Sequence, residues 1–547
     1  MCNMTSTMES PCLAFRELPH ATKVFSTFID DFSRVSRFYA HPPTESGVLA
    51  AAREVHLAPE ARRAIVEILR EQNQRFAPGG AVDEATARNL DRLASGAVAI
   101  VTGQQVGLFT GPEYSLFKAV SALRWADAIT QRGTEAVPIF WLATEDHDLA
   151  EVNHSDWNTS AGLEHYEVPA REEDSGHRVG EVVFGDDIKP LAAKAAATLE
   201  GPFAEEISAA LVQSYAPGES YGSAFGKLMA RLLAGKGIIF IDPLDPRIHR
   251  LAAGVYRRAL DEADTLRDAL LARAKELERA GYHAQVKVTR ETTLLFYNVA
   301  GLRQPLRRLN GNFSAGKASF SRDELRAAIE NSPEAFTANV LLRPVIQDTI
   351  LPTAAYIGGP AEIAYMAQAQ VVYQSVLGRM PAMLPRAAFT IVESAVARLL
   401  TKYSLDVCDV IRGRQHLRSK LEQESVPRAL ARRFEKDEKV LRRMLEAYRK
   451  PLERLDSTLL GSLEGGEAKI LHQFLTLKEK AGRAESFRSG VLDRHERLLL
   501  DALYPHRDLQ ERMLSALPFL AAYGPDLFDE LSRTAGPGSP QHHLLFL

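Results

Sequence analysis

Residues 97–142, AVAIVTGQQVGLFTGPEYSLFKAVSALRWADAITQRGTEAVPIFWL, decide the fold. Ala97-Val98-Ala99-Ile100-Val101 is an unbroken apolar run of strand length, and such a run reads as a strand buried on both faces. It ends in a polar, glycine-rich loop, Gly103 to Gly111. Pro112 then stands where a helix starts, because its fixed φ suits the first helical position. Tyr114, Phe117, Ser121, Trp125 and Ala128 fall on one face of that helix. Val137 to Leu142 is a second buried strand. Strand, loop, helix, strand at this spacing is a βαβ unit with parallel strands and a right-handed connection.

Working outward, residues 58–76 have helical periodicity. Gly237 to Ile241, ending at Asp242-Pro243, and Val340-Leu341-Leu342, leading into Arg343-Pro344, read as further strands. The alternation predicts an α/β fold with a doubly wound parallel sheet and ligands at the carboxyl ends of its strands. Residues 283–310 look like short antiparallel strands, and 155–200 like another insert. From about residue 395 the character changes. Leu441, Leu445, Tyr448, Leu452, Leu455 and Leu459 alternate steps of four and three, the seam of a coiled coil. Ile470, Phe474, Leu477, Ala481, Ala484 and Phe487 resume it after Glu464-Gly465-Gly466-Glu467. This predicts an antiparallel helical hairpin with its tip near Gly465, and a break at Pro451; Pro427 also counts against one straight helix. The expected division is 1–154 for the first half of the core, 155–220 for a connecting insert and 221–280 for core again. Residues 281–330 form a small β-containing insert, 331–394 the second half of the core, 395–500 the hairpin and 501–547 a segment returning to the core.

The chain has 547 residues, 66 Lys plus Arg against 70 Asp plus Glu, and a net charge of -4, which argues against a dedicated nucleic-acid binder. Residues 411–455 are basic, but such a run is more often a solvated face. The three cysteines, Cys2, Cys12 and Cys408, form no CxxC pair, which disfavours a thiolate zinc site and fits a reducing, cytoplasmic setting. The first twenty residues lack a basic stretch followed by an apolar run, so no secretory signal is expected. No apolar stretch reaches the roughly 18 residues that span a bilayer.

Three strings carry chemistry. Thr102-Gly103-Gln104-Gln105 lies at a strand's end before a helix, where free N–H groups and close backbone approach suit an anion; Tyr114 and Lys118 stand just beyond. The string is neither a dinucleotide fingerprint nor a P-loop. Glu145-Asp146-His147-Asp148, followed by Asn153-His154, sets four ionisable residues directly after a buried strand. Carboxylates so crowded meet a cation, a polar ligand or acid–base work, with His147 as general base oriented by a carboxylate. His147, Asp148 and His154 could alternatively ligate a metal, although the spacing matches no standard signature, or form a solvated capping loop. The third string runs from Arg343 through Gln347 and Asp348 to Tyr356, Gly358-Gly359-Pro360 and Glu362. Arg343 offers a planar fork to a carboxylate or phosphate, or pairs structurally with Asp348.

TGQQVGLFTGPEYSLFKAVSAL, VPIFWLATEDHDLAEVNH and LRPVIQDTILPTAAYIGGPAEIAYMAQ, with the hairpin and YPHRDLQER at 504–512, resemble the cysteine ligases of bacillithiol biosynthesis, the BshC type, across nearly the whole chain. Ala361 departs from the glycine expected there. The resemblance implies a Rossmann-like core related to class I nucleotidyltransferases, connecting inserts, and a coiled coil that joins a homodimer. The implied reaction joins the cysteine carboxyl to the amine of glucosaminyl-malate. ATP or ADP is the implied cofactor, with no metal, nucleic acid or membrane. The histidine pair and lysine loop with which class I enzymes activate carboxylates are missing. On this reading Thr102–Gln105 and Lys118 hold an anion, and His147 with Asp146 or Asp148 takes the amine proton. Arg343 and Gln347 orient the malyl carboxylates. Tyr504, Gln510 and Arg512 are candidates for a nucleotide pocket. A non-catalytic, ligand-binding regulator acting through the coiled coil, and a metal-dependent hydrolase using His147 and His154, are the alternatives.

Overall fold

The computed structural model describes residues 12–19, 21–309, 311–424, 428–538 and 540–547, without the side chains of 428, 483 and 485–489. Cys2, the first eleven residues, Pro427 and the side chain of Phe487 lie outside the described residues. The chain divides into two units. Residues up to Phe389, with Glu511–His543, form the first; Thr390–Gln510, with Leu544–Leu547, form the second.

The first unit is built on a five-stranded, all-parallel sheet. Helix α1 (Pro59–Phe76) precedes strand β1 (Val98–Gln104), helix α2 (Tyr114–Gln131) and strand β2 (Ala136–Leu142). Then come β3 (Ile239–Ile241) with α3 (Pro246–Asp261), α4 (Arg343–Ile350), β4 (Thr353–Gly358), α5 (Pro360–Val376) and β5 (Ala382–Pro385). The strand order is β5-β4-β1-β2-β3. β2 is buried at every residue and β1 at all but its last, as their unbroken apolar runs require. The chain winds from β1 outward to β3 and returns to the other side of β1 as β4. The crevice between the carboxyl ends of β1 and β4 is therefore the topological switch point. α2 is buried nearly all round because it packs under the sheet, so its apolar residues cover more than the single face read from the sequence.

The free edge at β3 is closed by α1. Asn73 exchanges two hydrogen bonds with the backbone of Phe240, at 2.8 and 2.9 Å, and Gln72 does the same with Asp242, at 2.9 Å each. Buried amides thereby supply the ladder that a sixth strand would have supplied.

Val340-Leu341-Leu342 is not a strand. The Asn339 side chain accepts from the N–H groups of Leu341 and Leu342, and its carbonyl accepts from Arg343 N–H, which starts α4 instead. An apolar triplet carries no periodicity of its own, and here a capping side chain decides. The strand of this region is β4, which starts eleven residues after Leu342.

Residues 292–338 contain a five-stranded antiparallel sheet, in the order Ala318–Phe320, Asn312–Ala315, Leu302–Leu309, Thr292–Val299 and Phe336–Ala338. A two-stranded hairpin, His154–Thr159 with Gly162–Glu167, stands between β2 and β3.

In the second unit, α6 (Arg428–Glu446), α7 (Arg449–Leu455) and α8 (Leu459–Ser489) make an antiparallel hairpin. Phe434 packs edge-on against Phe474, Arg442 pairs with Glu467 and Arg449 with Glu464. The tip is Asp456-Ser457-Thr458, not Gly465. Asp456 accepts from the N–H and hydroxyl of Thr458, a local turn that ends the first arm, while Gly465 and Gly466 run inside α8. Pro451 sits just inside α7, after the break between α6 and α7. Among the described residues no helix is long and apolar enough to cross a membrane.

Candidate functional site

The two strings at the ends of β1 and β2 meet. Register pairs Gly103 with Trp141 and Gln104 with Leu142, and the Gln104 carbonyl accepts from Ala143 N–H at 2.9 Å. A Cβ at Gly103 would lie 2.8 Å from the Trp141 carbonyl oxygen, so only glycine allows the two strand ends to close together. Beyond them, Gln105 Nε2 donates to Asp146 Oδ2 at 2.9 Å and to Glu151 Oε2 at 2.5 Å. Thr102 does not face a ligand; it is fully buried and its hydroxyl donates to the Ile357 carbonyl across to β4. The rest of the loop is core. Phe109 and Thr110 take left-handed φ angles of 52° and 74°, and Phe109 is driven under the sheet against Tyr215, with ring centroids 4.9 Å apart.

At the switch point the expected substrate residues form one bonded chain. Lys118 Nζ donates to the Gly103 carbonyl at 2.7 Å and to Gln104 Oε1 at 2.8 Å, and pairs with Glu362 Oε2 at 2.6 Å. Gln104 Nε2 donates to the Tyr114 hydroxyl at 3.3 Å. Glu362 also accepts from the Tyr356 hydroxyl at 2.6 Å and from Gly359 N–H at 2.8 Å. Burial alone would raise the Glu362 carboxyl, but the Lys118 charge and these hydrogen bonds hold it below the usual range, so it is ionised. Arg343 donates to Gln347 Oε1 at 3.0 Å and to Tyr356 Oη at 3.3 Å. Gln347 passes its amide N–H to Asp348, which also accepts from the Tyr373 hydroxyl. Lys118 and Arg343, expected at an anion, are thus turned into the protein. The three N–H groups of Lys118 are all taken, and Lys118, Gln347, Asp348 and Tyr356 are buried. Nor does Arg343 pair with Asp348.

At the end of β2 the chemistry is open. His147 is half-exposed, and Arg303, from the antiparallel sheet, donates Nη1–H to its Nδ1 at 2.8 Å. Arg303 is itself fixed by Thr337 Oγ1 and the Ala338 carbonyl, each at 2.9 Å, and lies on the Phe296 ring. A guanidinium has no lone pair, so Nδ1 is the acceptor and the imidazole proton sits on Nε2. The expected orientation, with a carboxylate taking Nδ1–H, does not occur: Asp146 Oδ1 is 3.4 Å from Nδ1 and instead accepts from His147 backbone N–H at 2.7 Å. Burial would raise Asp146, but hydrogen bonds from Gln105 and from the His147 backbone N–H, with the Arg303 charge, hold it below the usual carboxylate range. Its neighbour Glu145 goes the other way. Burial pushes its carboxyl up to about 7, against the charges of Arg303 and Arg178. Asp148 is exposed at the start of a short turn. His154 lies on the two-stranded hairpin, against Asn153 and His165, and joins neither cluster. Among the described residues no group of three or more His, Cys, Asp or Glu is arranged to hold a metal ion.

Two of the expected nucleotide residues, Tyr504 and Gln510, belong to the second unit. Gln510 is buried and clamps the backbone: its amide bonds Ile391 N–H at 2.6 Å and the carbonyls of Ile391 and Ala502 at 2.9 and 2.7 Å. It has a structural task. Arg512, in the first unit, is exposed, and its charge acts on the Tyr114 hydroxyl.

Four site residues escaped the sequence: Arg303, Arg178, His249 and Arg386. Arg178 is anchored by Glu181 and the Glu334 carbonyl, and its charge reaches Glu145. Arg386 stacks over Tyr114 and makes a buried two-pronged pair with Glu511, at 2.8 and 2.7 Å. Only His249 had a local signal: a histidine on the apolar face of the helix that follows a strand ending in Asp-Pro.

Residues 8–387 match a family model described as the N-terminal Rossmann-like domain of the bacillithiol biosynthesis protein BshC. Residues 389–547 match that of its C-terminal coiled-coil domain. A Koribacter versatilis protein named cysteine ligase BshC is 40% identical over 535 residues, covering 98% of this chain and 99% of its own. A Solibacter usitatus protein of the same name is 38% identical over 525 residues, covering 95% and 96%. Among solved structures, Mycobacterium tuberculosis methionyl-tRNA synthetase in complex with methionyl-adenylate covers 79% of this chain and 93% of its own at 12% identity, with a TM-score of 0.24, too low to bear on the fold. With two family domains spanning residues 8–547 and relatives of matching length, the chain belongs to the BshC family of bacillithiol biosynthesis.

Proposed function

We propose that the chain is a ligase that joins the carboxyl of cysteine to the amine of glucosaminyl-malate, the amide-forming step that completes bacillithiol. The observation that carries this reading is the match of the whole chain to the BshC family, joined to the pair of groups after β2: a buried carboxyl, Glu145, beside an imidazole fixed as an Nε2–H donor, His147. An amine that attacks an activated carboxyl must lose a proton, and the best base has a pKa near the working pH. Glu145 meets that requirement. His147 offers Nε2–H to the negative charge that develops on the carbonyl oxygen. Asp146, ionised and bonded to Gln105, holds the two loops in register. The Lys118–Glu362–Tyr356–Arg343 chain keeps the switch point rigid, and Arg512 takes an anionic group of the substrate at its edge.

ATP is the activating co-substrate in this reading; it converts the cysteine carboxyl into a better acyl donor. Of the residues expected at the nucleotide, Tyr504, Gln510 and Arg512, Gln510 gives its amide to backbone groups, so no step is derived through the nucleotide. The reading extends to a homodimer formed through the coiled coil, where Val440, Met444, Tyr448 and Leu477 stand exposed. The test is to incubate the purified chain with cysteine and glucosaminyl-malate, with and without ATP, and read the product by mass spectrometry. Product formed only with ATP is the expected result. A folded protein that forms none in either mixture overturns the ligase reading and favours a regulatory one.

A further inference from the structure

A buried carboxyl that takes a proton needs a group to hold it. Glu145 Oε1 has no hydrogen-bond partner, and neither has Nε2 of His249. The two atoms are 3.7 Å apart, and His249 is 1% exposed. α3 brings the ring there: Ile248, Ala252 and Val255 are buried around it on the inner face of the helix. The other ring nitrogen is committed. Nδ1 lies 3.0 Å from the Tyr256 hydroxyl, and the Phe336 carbonyl accepts from the ring. A carbonyl only accepts, so the ring N–H is on Nδ1, and Nε2 keeps its lone pair.

Two acceptors therefore face each other in a buried place. A lone pair against a carboxylate oxygen is unfavourable and leaves both groups unsatisfied. One hydrogen between them, as Oε1–H···Nε2, satisfies both. The 3.7 Å spacing is too long for that bond and suits the ionised pair; protonation of Glu145 draws the two together. The ring remains the acceptor at neutral pH, because burial, helped by the Arg178 charge and opposed by the Phe336 bond and Asp245, lowers its pKa to about 4. Around Glu145, Arg303, Arg178 and Arg343 favour the carboxylate, and Asp242 opposes it.

We infer that His249 is a positioning residue whose Nε2 lone pair holds, on Glu145, the proton taken from the attacking amine. This rests on the reading of Glu145 as base. In the step, the amine lone pair forms the C–N bond to the activated cysteine carbonyl. The N–H bond breaks, its electron pair stays on nitrogen, and its proton passes to the Glu145 carboxylate at Oε2, the oxygen not sealed against the ring; rotation about the Cγ–Cδ bond then presents the O–H to His249 Nε2. The leaving group on the carboxyl departs with the C–O pair.

The test uses the full chain with 15N-labelled histidine, followed by NMR, alongside infrared detection of protonated carboxyl groups. As pH falls through the Glu145 titration, the His249 Nε2 resonance should move as a lone pair that gains a hydrogen bond, with the ring still neutral and the carboxylic-acid band rising in step. Glu145→Ala, checked for folding by circular dichroism, should lose both responses. His249→Phe keeps a ring but no lone pair; it should lower kcat roughly tenfold or more while KM for the amine substrate holds. If that variant does not fold, the NMR response decides. A silent Nε2 while the carboxyl band appears, in a protein whose Glu145→Ala variant is inactive, overturns this inference alone. Full activity in Glu145→Ala overturns the base reading and this inference with it.

Discussion

Glu145 and Asp146 are neighbours in the chain, yet their carboxyls titrate on opposite sides of the ordinary range. Glu145 is in a buried place with no hydrogen bond to Oε1, while Asp146 collects bonds from His147 and Gln105. Environments that push two carboxyls apart assign them different tasks. If Glu145 is the base, the rate rises with pH through about 7. Glu145→Gln should remove that limb and lower kcat by roughly 10²–10⁴-fold, read from pH–rate profiles. The same shift has a stability consequence. The folded pKa lies above the unfolded one, so the carboxyl costs stability as pH rises from about 4.5 to about 7, and the cost is constant above that. Glu145→Gln should therefore be more stable than the parent at pH 8, by roughly 2–3 kcal/mol, and no more stable at pH 4, as urea unfolding would show. A gain of equal size at both pH values would refute the buried-carboxyl account. The four-residue ionisable string was legible as a site because crowded charges at a strand's end are costly. Which carboxyl does what was not legible, because Arg303 and His249 arrive from distant parts of the chain.

Gly465 and Gly466 show how an element can overrule its own sequence. Two adjacent glycines weaken a helix by about 1 kcal/mol each, which is why a break was expected there. The hairpin keeps them helical because α8 packs along α6, and tertiary packing outweighs propensity in helices of this length. Beyond the backbone of its own helix, neither glycine has an atom within 4 Å of an added Cβ. Gly465→Ala and Gly466→Ala should therefore stabilise the hairpin by about 1 kcal/mol each, measured by thermal or denaturant unfolding. A loss of stability would return the tip to Gly465. Asp456→Ala, which removes the turn at the true tip, should cost about 1 kcal/mol. The a/d seam itself was readable, since a period of 3.5 depends on nothing outside the element. The tip was not, since an Asp-Ser-Thr turn is a weaker signal than Gly-Gly.

In the first unit, a residue after β5 meets one more than a hundred positions later. Arg386 and Glu511 form a buried two-pronged ion pair, and Glu511 also accepts from Phe389 N–H at 3.1 Å. Burial would raise the Glu511 carboxyl, but the Arg386 charge and its hydrogen bonds hold it below the usual range. Removing one partner strands a charge: Arg386→Met should cost about 3–5 kcal/mol, and adding Glu511→Leu should restore much of that loss, as a double-mutant cycle would show. A double variant no more stable than the single one would mean that the segment is held by other contacts. The apolar runs by themselves determined β1 and β2, and with them a parallel α/β sheet with polar strings at its carboxyl edge, because a strand buried on both faces can be written in only one kind of sequence. The alternating leucines likewise determined a helical hairpin. Only the tertiary structure decided that Lys118 and Arg343 face inward, that Arg303 turns the His147 ring, and that His249 faces Glu145. Those facts depend on side chains brought together from separate elements, and hydrogen-bond partners at such separations leave no periodicity in the chain.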